Sequence, residues 1–303
     1  MHNEINNQPF VSVIMNCYNG EKYLKESIES VLFQTFKNWE LIFWDNKSND
    51  KSADIFRSYN DKRLKYFYAP EHTNLYKARN QAIKKSSGNF LAFLDTDDFW
   101  EKDKLELQLE LFRDSEVAVV YGNCFIINEK LNTKSLYLKK KIPKGVILSS
   151  LLKKYHTGLV TLLIRKSFLD NQESPFDDKF HIIGDFDLMI RMSSKYKFDC
   201  VEKPIASWRV HGQNESLINK SKQIDELKLW CNKMRSYPNI LNNKYFSNVG
   251  AMINNLEVIS LILKNNRIEA RIKIKQMPYS LKKIKYFLAL LLPNSFVKKF
   301  IKF

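Results

Sequence analysis

The segment Phe90–Trp100, FLAFLDTDDFW, joins a short apolar run to a cluster of acids. The run 90–94 is unbroken, which is typical of a strand buried on both faces of a sheet. Asp95, Asp97 and Asp98 follow it directly. In an open α/β sheet the ligand crevice lies at the carboxyl ends of the strands. The sequence therefore predicts a buried strand that carries carboxylates to a ligand-binding edge.

The spacing of Asp95 and Asp97 places both carboxylates on the same side of an extended backbone. Acids held this close repel one another unless a cation lies between them. Oxygen ligands suit Mg²⁺ or Mn²⁺, and Mg²⁺ held by one or two carboxylates usually also binds substrate phosphates. The alternative is an acidic turn in which Asp98 caps the next helix and Glu101 lies in its first turn.

The composition describes a folded chain with an unevenly placed positive charge. Its 303 residues suffice for one large domain with an appendage, and the formal net charge is +16. Eleven Lys or Arg residues stand against Glu269 alone in the segment 261–303. Four well-separated cysteines predict reduced thiols in a cytosolic protein. The first ten residues have neither a basic nor an apolar region, which predicts no secretory signal.

Apolar segments of strand and helix type alternate through the first third of the chain, which predicts a largely parallel sheet with helices on both faces. The predicted strands are 11–15, 40–44, 64–68 and 90–94, and the predicted helices are 20–34, 52–59, 75–86 and 102–113. Further strands are expected at 117–121, 125–128 and 159–165, and further helices at 147–154, 185–194 and from 224 onward.

The sequence lacks the glycine-rich motifs of several common phosphate-binding sites. None of the eight glycines forms GxGxxG, GxxxxGK[ST] or GxSxG, and there is no HExxH motif or Cys/His zinc cluster. A sheet that binds a phosphate ligand without a glycine loop needs another positive charge. A divalent metal on Asp95 and Asp97 would supply it.

Several motifs, in order, resemble glycosyltransferase family 2. They are VSVIMNCYNGEKYL from residue 11, NLYKARNQAIKKSSGNFLAFLDTDDFW at 74–100, GDFDLMIRM at 184–192 and SWRVHGQNES at 207–216. The resemblance implies a GT-A fold and transfer of a sugar, with inversion, from a nucleotide diphosphate donor to an acceptor hydroxyl with Mn²⁺ or Mg²⁺. It also implies a UDP-sugar donor, a glycan or lipid-linked acceptor, and a part in lipopolysaccharide, O-antigen or capsule synthesis.

The resemblance assigns the donor site to the first strands. It implies that Tyr18 and Asn19 contact the nucleotide, although they could be a plain strand-to-helix turn. It implies that Asp45 meets the base, with Asn46 where the family often has a second acid. A carboxylate can accept a hydrogen bond from a pyrimidine ring N–H.

The segment 74–80 resembles a family segment that ends in Ala-Arg-Asn, with Leu75-Tyr76 replacing the usual glycine. The resemblance implies donor binding by Asn74 and Arg79. Arg79 could instead brace the strand of Asp95, because a guanidinium serves either purpose, or it could be an exposed helix arginine.

In the DXD motif, Asp95-Thr96-Asp97, the resemblance implies that Asp95 faces the donor ribose or the metal and that Asp97 ligates the metal. Thr96 is implied in binding of the nucleotide sugar. Asp98 would brace the loop. His211 is implied as a further metal ligand or a contact of the diphosphate, but a lone histidine is more often structural.

Asp185 resembles the aspartate of the family's Glu-Asp pair, with Gly184 in place of the glutamate. The resemblance implies that it is the general base, with Asp187 as second candidate. The alternative is that Asp185 caps the following helix. Trp208 and Arg209 are implied in acceptor binding, where Trp208 could stack on a sugar or could be a core residue.

The C-terminal segment 280–303 places lysines around an apolar stretch too short to span a bilayer. This pattern favours a helix lying on an anionic membrane surface, or else a terminal helix packed on the protein with solvated lysines. We expect a cytoplasmic protein, peripheral on the inner face of the cytoplasmic membrane. The expected domains are 1–220, catalytic, with a nucleotide-sugar half (1–115) and an acceptor half (116–220), and 221–303, helical and basic.

Two other functions remain open from the sequence. A metal-dependent nucleotidyltransferase could use a similar sheet, although CYNGEKY is a poor version of its glycine- and lysine-rich loop. A nucleic-acid-binding protein is suggested by the charge, but the basic cluster lacks a known binding signature, so no specific nucleic acid is expected.

Overall fold

The computed structural model describes residues 10–169 and 174–301. Residues 1–9, where the sequence predicts no secretory signal, lie outside the described part. The chain divides into two compact units: one holds the chain up to Leu151 with Tyr155–Gly212, and the other holds Leu152–Lys154 with Gln213–Phe303.

The first unit contains, within the described residues, one nine-stranded sheet. Its strands are β1 (Val11–Cys17), β2 (Trp39–Asp45), β3 (Leu64–Tyr68), β4 (Phe90–Phe93), β5 (Phe99–Trp100), β6 (Val117–Asn128), β7 (Thr133–Leu136), β8 (Leu163–Arg165) and β9 (Lys197–Val210). The spatial order is β3-β2-β1-β4-β8-β6-β9-β5, and β7 pairs with β6.

Strands β3, β2, β1 and β4 are parallel neighbours. Every residue of β1, β2 and β4 is buried, as expected of central strands covered on both faces. Their carboxyl ends therefore meet at one edge, where the DTDD cluster follows β4. Beyond β4 the sheet is mixed, because β8 runs antiparallel to β4 and β6 whereas β9 runs parallel to β6.

Helices cover this sheet: α1 (Glu21–Leu32), α2 (Ser52–Arg57), α3 (Leu75–Lys84), α4 (Lys104–Leu111), α5 (Leu148–Lys153) and α6 (Gly184–Ser193). Short 3₁₀ turns lie at Leu159–Thr161 and Lys166–Phe168. Helix α1 buries Leu24, Ile28 and Val31, which recur at helical spacing, in the same core as alternate residues of β1 and β2.

The elements predicted for the first third of the chain are confirmed, with ends that differ by a few residues. The two strands predicted at 117–121 and 125–128 are one strand, β6, with irregular register near Gly122. The strand predicted at 159–165 begins as a 3₁₀ turn and becomes extended at Leu163. The sequence did not predict β5, β7 or the 14-residue β9.

The second unit is helical in its described residues, as predicted. Its helices are α7 (Glu215–Ile218), α8 (Lys220–Lys233), α9 (Pro238–Leu241), α10 (Ser247–Leu263), α11 (Arg267–Gln276), α12 (Leu281–Leu291) and α13 (Asn294–Ile301), with a 3₁₀ turn at Met234–Ser236. Val258 of α10, Ile274 of α11 and Ala289 of α12 meet in one apolar core. Among the described helices we find none with the length and apolarity required to cross a bilayer.

Candidate active site

The acidic tip after β4 is a tight turn held by neighbouring strands and helices. The amide of Asp98 donates to the carbonyl of Asp95 at 3.1 Å, and buried Asp98 accepts from the amide of Arg209 at 2.8 Å. The hydroxyl of Ser27 lies 2.8 Å from the Thr96 carbonyl oxygen and 2.6 Å from that of Asp98. Asp98 therefore braces the loop, and the alternative that it caps a helix is wrong, since α4 begins only at Lys104.

Arg79 supports Asp95 from α3. Its Nη2 donates to Asp95 Oδ1 at 2.5 Å, and the arginine side chain is almost completely buried. The guanidinium carbon lies 5.2 Å from the centre of the Tyr76 ring and 5.6 Å from that of Phe176. The alternative of an exposed helix arginine is therefore wrong. The ion pair favours the bracing role, and a direct contact between Arg79 and the donor stays a prediction.

Asp97 pairs with His211, which follows β9. Asp97 Oδ2 and His211 Nε2 are 2.9 Å apart, and the imidazole lies against the ring of Tyr23 with 5.3 Å between ring centres. Burial and the charge of Asp95 raise the pKa of Asp97, whereas His211 opposes the rise. Burial and the charges of Asp97 and Asp95 also raise the pKa of Asp98. The tip thus holds three neighbouring carboxyl groups, and the charges of Asp95 and Asp97 disfavour ionisation of the groups beside them.

The donors at this tip fit a divalent cation whose ligands come partly from the protein and partly from a substrate. No described group of three or more His, Cys, Asp or Glu residues is arranged to hold a metal ion by itself. Asp95 and Asp97 provide carboxylate oxygens, and His211 adds a nitrogen beside Asp97. Mg²⁺ is commonly held by one or two carboxylates plus phosphate and water oxygens. This donor set suits such an ion when phosphate or water oxygens complete its coordination.

The turn after β1 lies at the same edge of the sheet. The ring of Tyr18 is about half exposed, and its centre lies 4.3 Å from that of His72. Asn19 has a φ of 54°, which asparagine tolerates better than most residues. Its amide donates to Ser48 Oγ at 3.1 Å and its side chain accepts from the amide of Asn49 at 2.9 Å. Asn19 therefore connects this turn to the loop after β2, and nucleotide contact by both residues stays a prediction.

Gly20 permits the close approach of this turn to the acidic tip. A Cβ at residue 20 would lie 2.7 Å from Thr96 Oγ1 and 3.1 Å from Cys17 Sγ. The turn after β1 and the DXD motif are therefore in direct contact.

Asp45 is completely buried at the end of β2. It accepts from the amide of Ser48 and from the hydroxyl of Tyr66, both at 2.7 Å. The carboxylate thereby fixes the loop that Asn19 contacts. Direct contact of Asp45 with a nucleotide base stays a prediction.

Asn74 is the N-cap of α3. Its side chain accepts from the amide of Lys77 at 2.9 Å and donates to the carbonyl of Asp178 at 2.6 Å. Its hydrogen bonds thus fix the start of the helix that carries Arg79. Donor binding by Asn74 stays a prediction.

Asp185 lies in the first turn of α6, with a donor for each carboxylate oxygen. Its Oδ1 is 3.1 Å from the hydroxyl of Tyr76 and its Oδ2 is 3.3 Å from the hydroxyl of Tyr155. Burial raises the pKa of Asp185, while the amide of Phe186, the two phenols and the charge of Arg79 oppose the rise. The N-cap residue is Ile183, so the alternative that Asp185 caps the helix is wrong. The sequence did not predict either tyrosine here.

Asp187 has a different environment. Its side chain is completely buried, and Oδ2 accepts from Arg191 Nε at 2.9 Å. Arg191 also donates to the carbonyl of Pro175 at 2.7 Å. This enclosed ion pair is unsuited to a base that must reach a substrate, which leaves Asp185 as the candidate.

Trp208 and Arg209 lie near the end of β9. Trp208 is partly buried and packs against the main core, which favours its interpretation as a core residue. Arg209 donates to the carbonyl of Asp97 at 3.0 Å and forms ion pairs with Glu26 and Glu129. These bonds hold the end of β9 against the acidic tip. Acceptor binding by the two residues stays a prediction.

A mixed α/β sheet with acids at the carboxyl edge of its parallel strands agrees with the GT-A fold that the motifs predict. The chain belongs to glycosyltransferase family 2, because the model of "Glycosyl transferase family 2" matches residues 12–195, more than half of its length. The resemblance of the motifs to this family is thereby confirmed.

One curated relative is the Escherichia coli UDP-Glc:alpha-D-GlcNAc-diphosphoundecaprenol beta-1,3-glucosyltransferase WfgD. It is 36% identical over 169 residues, which are 56% of this chain and 65% of the relative, just under two thirds of its length.

Two solved structures share the fold at low sequence identity. Staphylococcus aureus TarS 1–349 in complex with UDP-GlcNAc matches with a TM-score of 0.61 and 16% identity, over 96% of this chain and 92% of that one. The mannosyltransferase PcManGT of Pyrobaculum calidifontis, in complex with GDP-Man and Mn²⁺, matches with a TM-score of 0.64 and 15% identity, over 97% and 85%.

Proposed function

We propose that this glycosyltransferase is metal-dependent and inverting, and that it moves a sugar from a nucleoside-diphosphate sugar to an acceptor hydroxyl in surface glycan synthesis. The observation that carries the proposal is the role of α3. Arg79 of this helix bonds Asp95 of the DXD motif, and Tyr76, three residues earlier, bonds Asp185. Residues three apart share a helix face, so one face of α3 supports both a candidate metal ligand, Asp95, and the candidate base.

In this proposal Asp185 acts as the general base. Its carboxylate accepts the proton of the acceptor hydroxyl while that oxygen attacks the anomeric carbon and the bond from that carbon to the diphosphate oxygen breaks. Attack from the side opposite the leaving group inverts the configuration. Asp95, Asp97 and His211 would hold the divalent ion, which supplies Lewis-acid stabilisation of the departing diphosphate. Arg79 keeps Asp95 in place.

The donor is proposed to be a UDP-sugar. The TarS complex contains UDP-GlcNAc and the PcManGT complex GDP-Man, which supports a nucleotide-sugar site on this fold. Exposed Tyr18 would face the nucleotide, and Asp45 would meet the base or shape the loop that does. A lipid-linked acceptor is supported by the name of WfgD, which specifies a diphosphoundecaprenol acceptor.

A thermal-shift screen tests the donor site. We expect Mn²⁺ and a UDP-sugar together to raise the melting temperature more than the sum of their separate effects, because the diphosphate completes the coordination of the ion. Saturation at 100 times Kd stabilises by about 2.7 kcal/mol. ADP-sugars and GDP-sugars serve as controls. Release of pyrophosphate rather than free nucleoside diphosphate during turnover would contradict the proposal and indicate a nucleotidyltransferase.

We also propose that the second unit binds the inner face of the cytoplasmic membrane. Helix α12 carries an exposed apolar stripe, at helical spacing of three and four residues, formed by Leu281, Ile284, Leu288 and Leu291. Lys282 is exposed on this helix, and Lys285 lies three and four residues from members of the stripe. Apolar side chains beside lysines suit an anionic bilayer surface.

Vesicle sedimentation tests this surface. We expect the protein to sediment with vesicles that contain phosphatidylglycerol, and Leu288→Ser to weaken the partition by about tenfold, as expected for a leucine that no longer enters an apolar phase. Leu229→Ser is the matched control, because Leu229 is exposed to a similar extent on α8. Equal sedimentation of both variants would exclude the α12 stripe as the contact, and binding to neutral vesicles alone would contradict the proposed anionic surface.

A further inference from the structure

The carboxylate of Asp185 receives hydrogen bonds from two separate segments of the chain. Tyr76 comes from α3 and Tyr155 from the loop after α5, and each phenol faces a different carboxylate oxygen, at 3.1 and 3.3 Å. Two donors on the two oxygens restrict rotation of the carboxylate about its side-chain bonds. We infer that Tyr76 and Tyr155 are positioning residues that hold the Asp185 carboxylate in the orientation in which it takes the acceptor proton, an inference that rests on the proposed function.

The ring of Tyr76 fills the space beside Gly184, the first residue of α6. A Cβ at residue 184 would lie 2.6 Å from two ring carbons of Tyr76 and 2.7 Å from a third. The Tyr76 ring also stacks on the ring of Phe176, with 5.1 Å between ring centres. The absence of a side chain at Gly184 is therefore what allows the phenol to reach Asp185. The hydroxyl of Tyr76 also lies 3.3 Å from the carbonyl oxygen of Ile182, slightly farther than from Asp185.

Tyr155 approaches from another direction. The edge of its ring meets Phe186, the residue after Asp185, with 5.1 Å between ring centres and an interplanar angle of 68°. Its position is thus fixed by the same helical turn that carries the carboxylate. The two tyrosines thus donate to Asp185 from different segments, and a carboxylate has about four acceptor positions, of which the phenols use two and the amide of Phe186 another.

The charges around Asp185 agree with this arrangement. The titratable groups that act on it are Tyr76, Tyr155 and Arg79, and Tyr137 also senses its charge. Burial raises the pKa of the Tyr76 and Tyr155 phenols well above the ordinary value, so both remain protonated donors over the pH range of the turnover measurements. Their hydrogen bonds favour the ionised carboxylate, whereas burial favours the neutral acid. Removal of either hydroxyl therefore removes a bond that favours the ionised form, and the pKa of Asp185 rises further.

The test is the pH dependence of turnover in Tyr76→Phe and Tyr155→Phe. Phenylalanine keeps each ring, so the packing against Gly184 and Phe186 is retained. Activity requires ionised Asp185 and is lost as the pH falls through its pKa. We expect the acid limb of kcat to move to higher pH by about one unit in each variant, and by more in the double variant. We expect kcat at its optimum to fall by about tenfold, while the Kd of UDP with Mn²⁺ stays unchanged.

Tyr121→Phe is the matched control, because the hydroxyl of Tyr121 donates to the carbonyl of Pro143 and is not among the described partners of Asp185. Asp185→Asn distinguishes a failure of the positioning role from a failure of the proposed base. If Asp185→Asn abolishes turnover while both phenylalanine variants keep the wild-type pH profile, the positioning role is overturned and the proposed base remains. If Asp185→Asn keeps the wild-type kcat, Asp185 is not the base, and the proposed mechanism fails together with the positioning role. A shift of equal size in Tyr121→Phe would also overturn the inference.

Discussion

Asp97→Asn is expected to lower the turnover number by about a thousandfold, which corresponds to several kcal/mol of lost stabilisation of the leaving group. Asp97 is the carboxylate that pairs with His211 and lies beside Asp95 at the end of the buried strand β4. Asparagine preserves the shape of the side chain but removes its charge, so a divalent ion loses one of the two acids that would hold it. The acidic tip retains its turn, because the Asp98 carboxylate accepts from the Arg209 amide and Arg209 Nε donates to the Asp97 carbonyl, and neither bond uses the Asp97 side chain.

Turnover with Mn²⁺ varied from micromolar to millimolar levels measures this effect, and calorimetry of UDP binding supplies a readout that does not depend on catalysis. We expect Mn²⁺ to enhance UDP binding in the wild type and not in Asp97→Asn. Asp54→Asn is the control, since Asp54 is an exposed carboxylate on α2 of the same unit. Turnover of Asp97→Asn close to the wild-type value, with Mn²⁺ still required, would place the ion on other residues.

The first third of the fold could be predicted from the sequence because local patterns determine it. Strands β1, β2 and β4 are short apolar runs, and α1 has the periodicity of a helix with one buried face. The position of Asp95 and Asp97 at the carboxyl edge follows from that alternation alone. An acid after a buried strand in a βα repeat has only one edge of the sheet available to it.

The second half of the sheet could not be predicted in the same way. Strand β9 contains Glu202, Lys203 and Pro204 in its middle, and these residues are at least partly exposed, so it lacks an alternating apolar pattern. Its extended conformation comes from the ladder with β6, whose residues lie about 80 positions earlier. Pairing of this kind depends on the tertiary fold rather than on local propensity.

The environment of Asp185 also could not be predicted from local sequence. The sequence identified the residue through a motif, but its two hydrogen-bond donors lie 109 and 30 positions away. Nothing in the local pattern distinguishes Tyr76 from an ordinary buried residue of α3. Gly184 was a possible signal: a glycine that begins a helix indicates that another group occupies the space of its side chain, although not which group.

Asp185→Asn is expected to lower kcat by between about a hundredfold and ten thousandfold, the usual contribution of a general base. The amide keeps the size of the carboxylate and cannot accept the proton of the acceptor hydroxyl. Binding of UDP with Mn²⁺ should remain within a factor of two or three, because Asp185 contacts Tyr76 and Tyr155 rather than the acidic tip. Single-turnover kinetics with a saturating donor measure the chemical step directly.

The matched control is Asp187→Asn, two residues further along the same helix. Asp187 is completely buried in an ion pair with Arg191, and removal of one partner of such a pair costs about 3–5 kcal/mol of folding free energy. We therefore expect the two variants to fail in different ways: Asp187→Asn melts at a lower temperature but keeps its kcat per folded molecule, whereas Asp185→Asn folds normally and turns over slowly. The reverse pattern would assign the proton transfer to Asp187 and require its ion pair with Arg191 to open during catalysis.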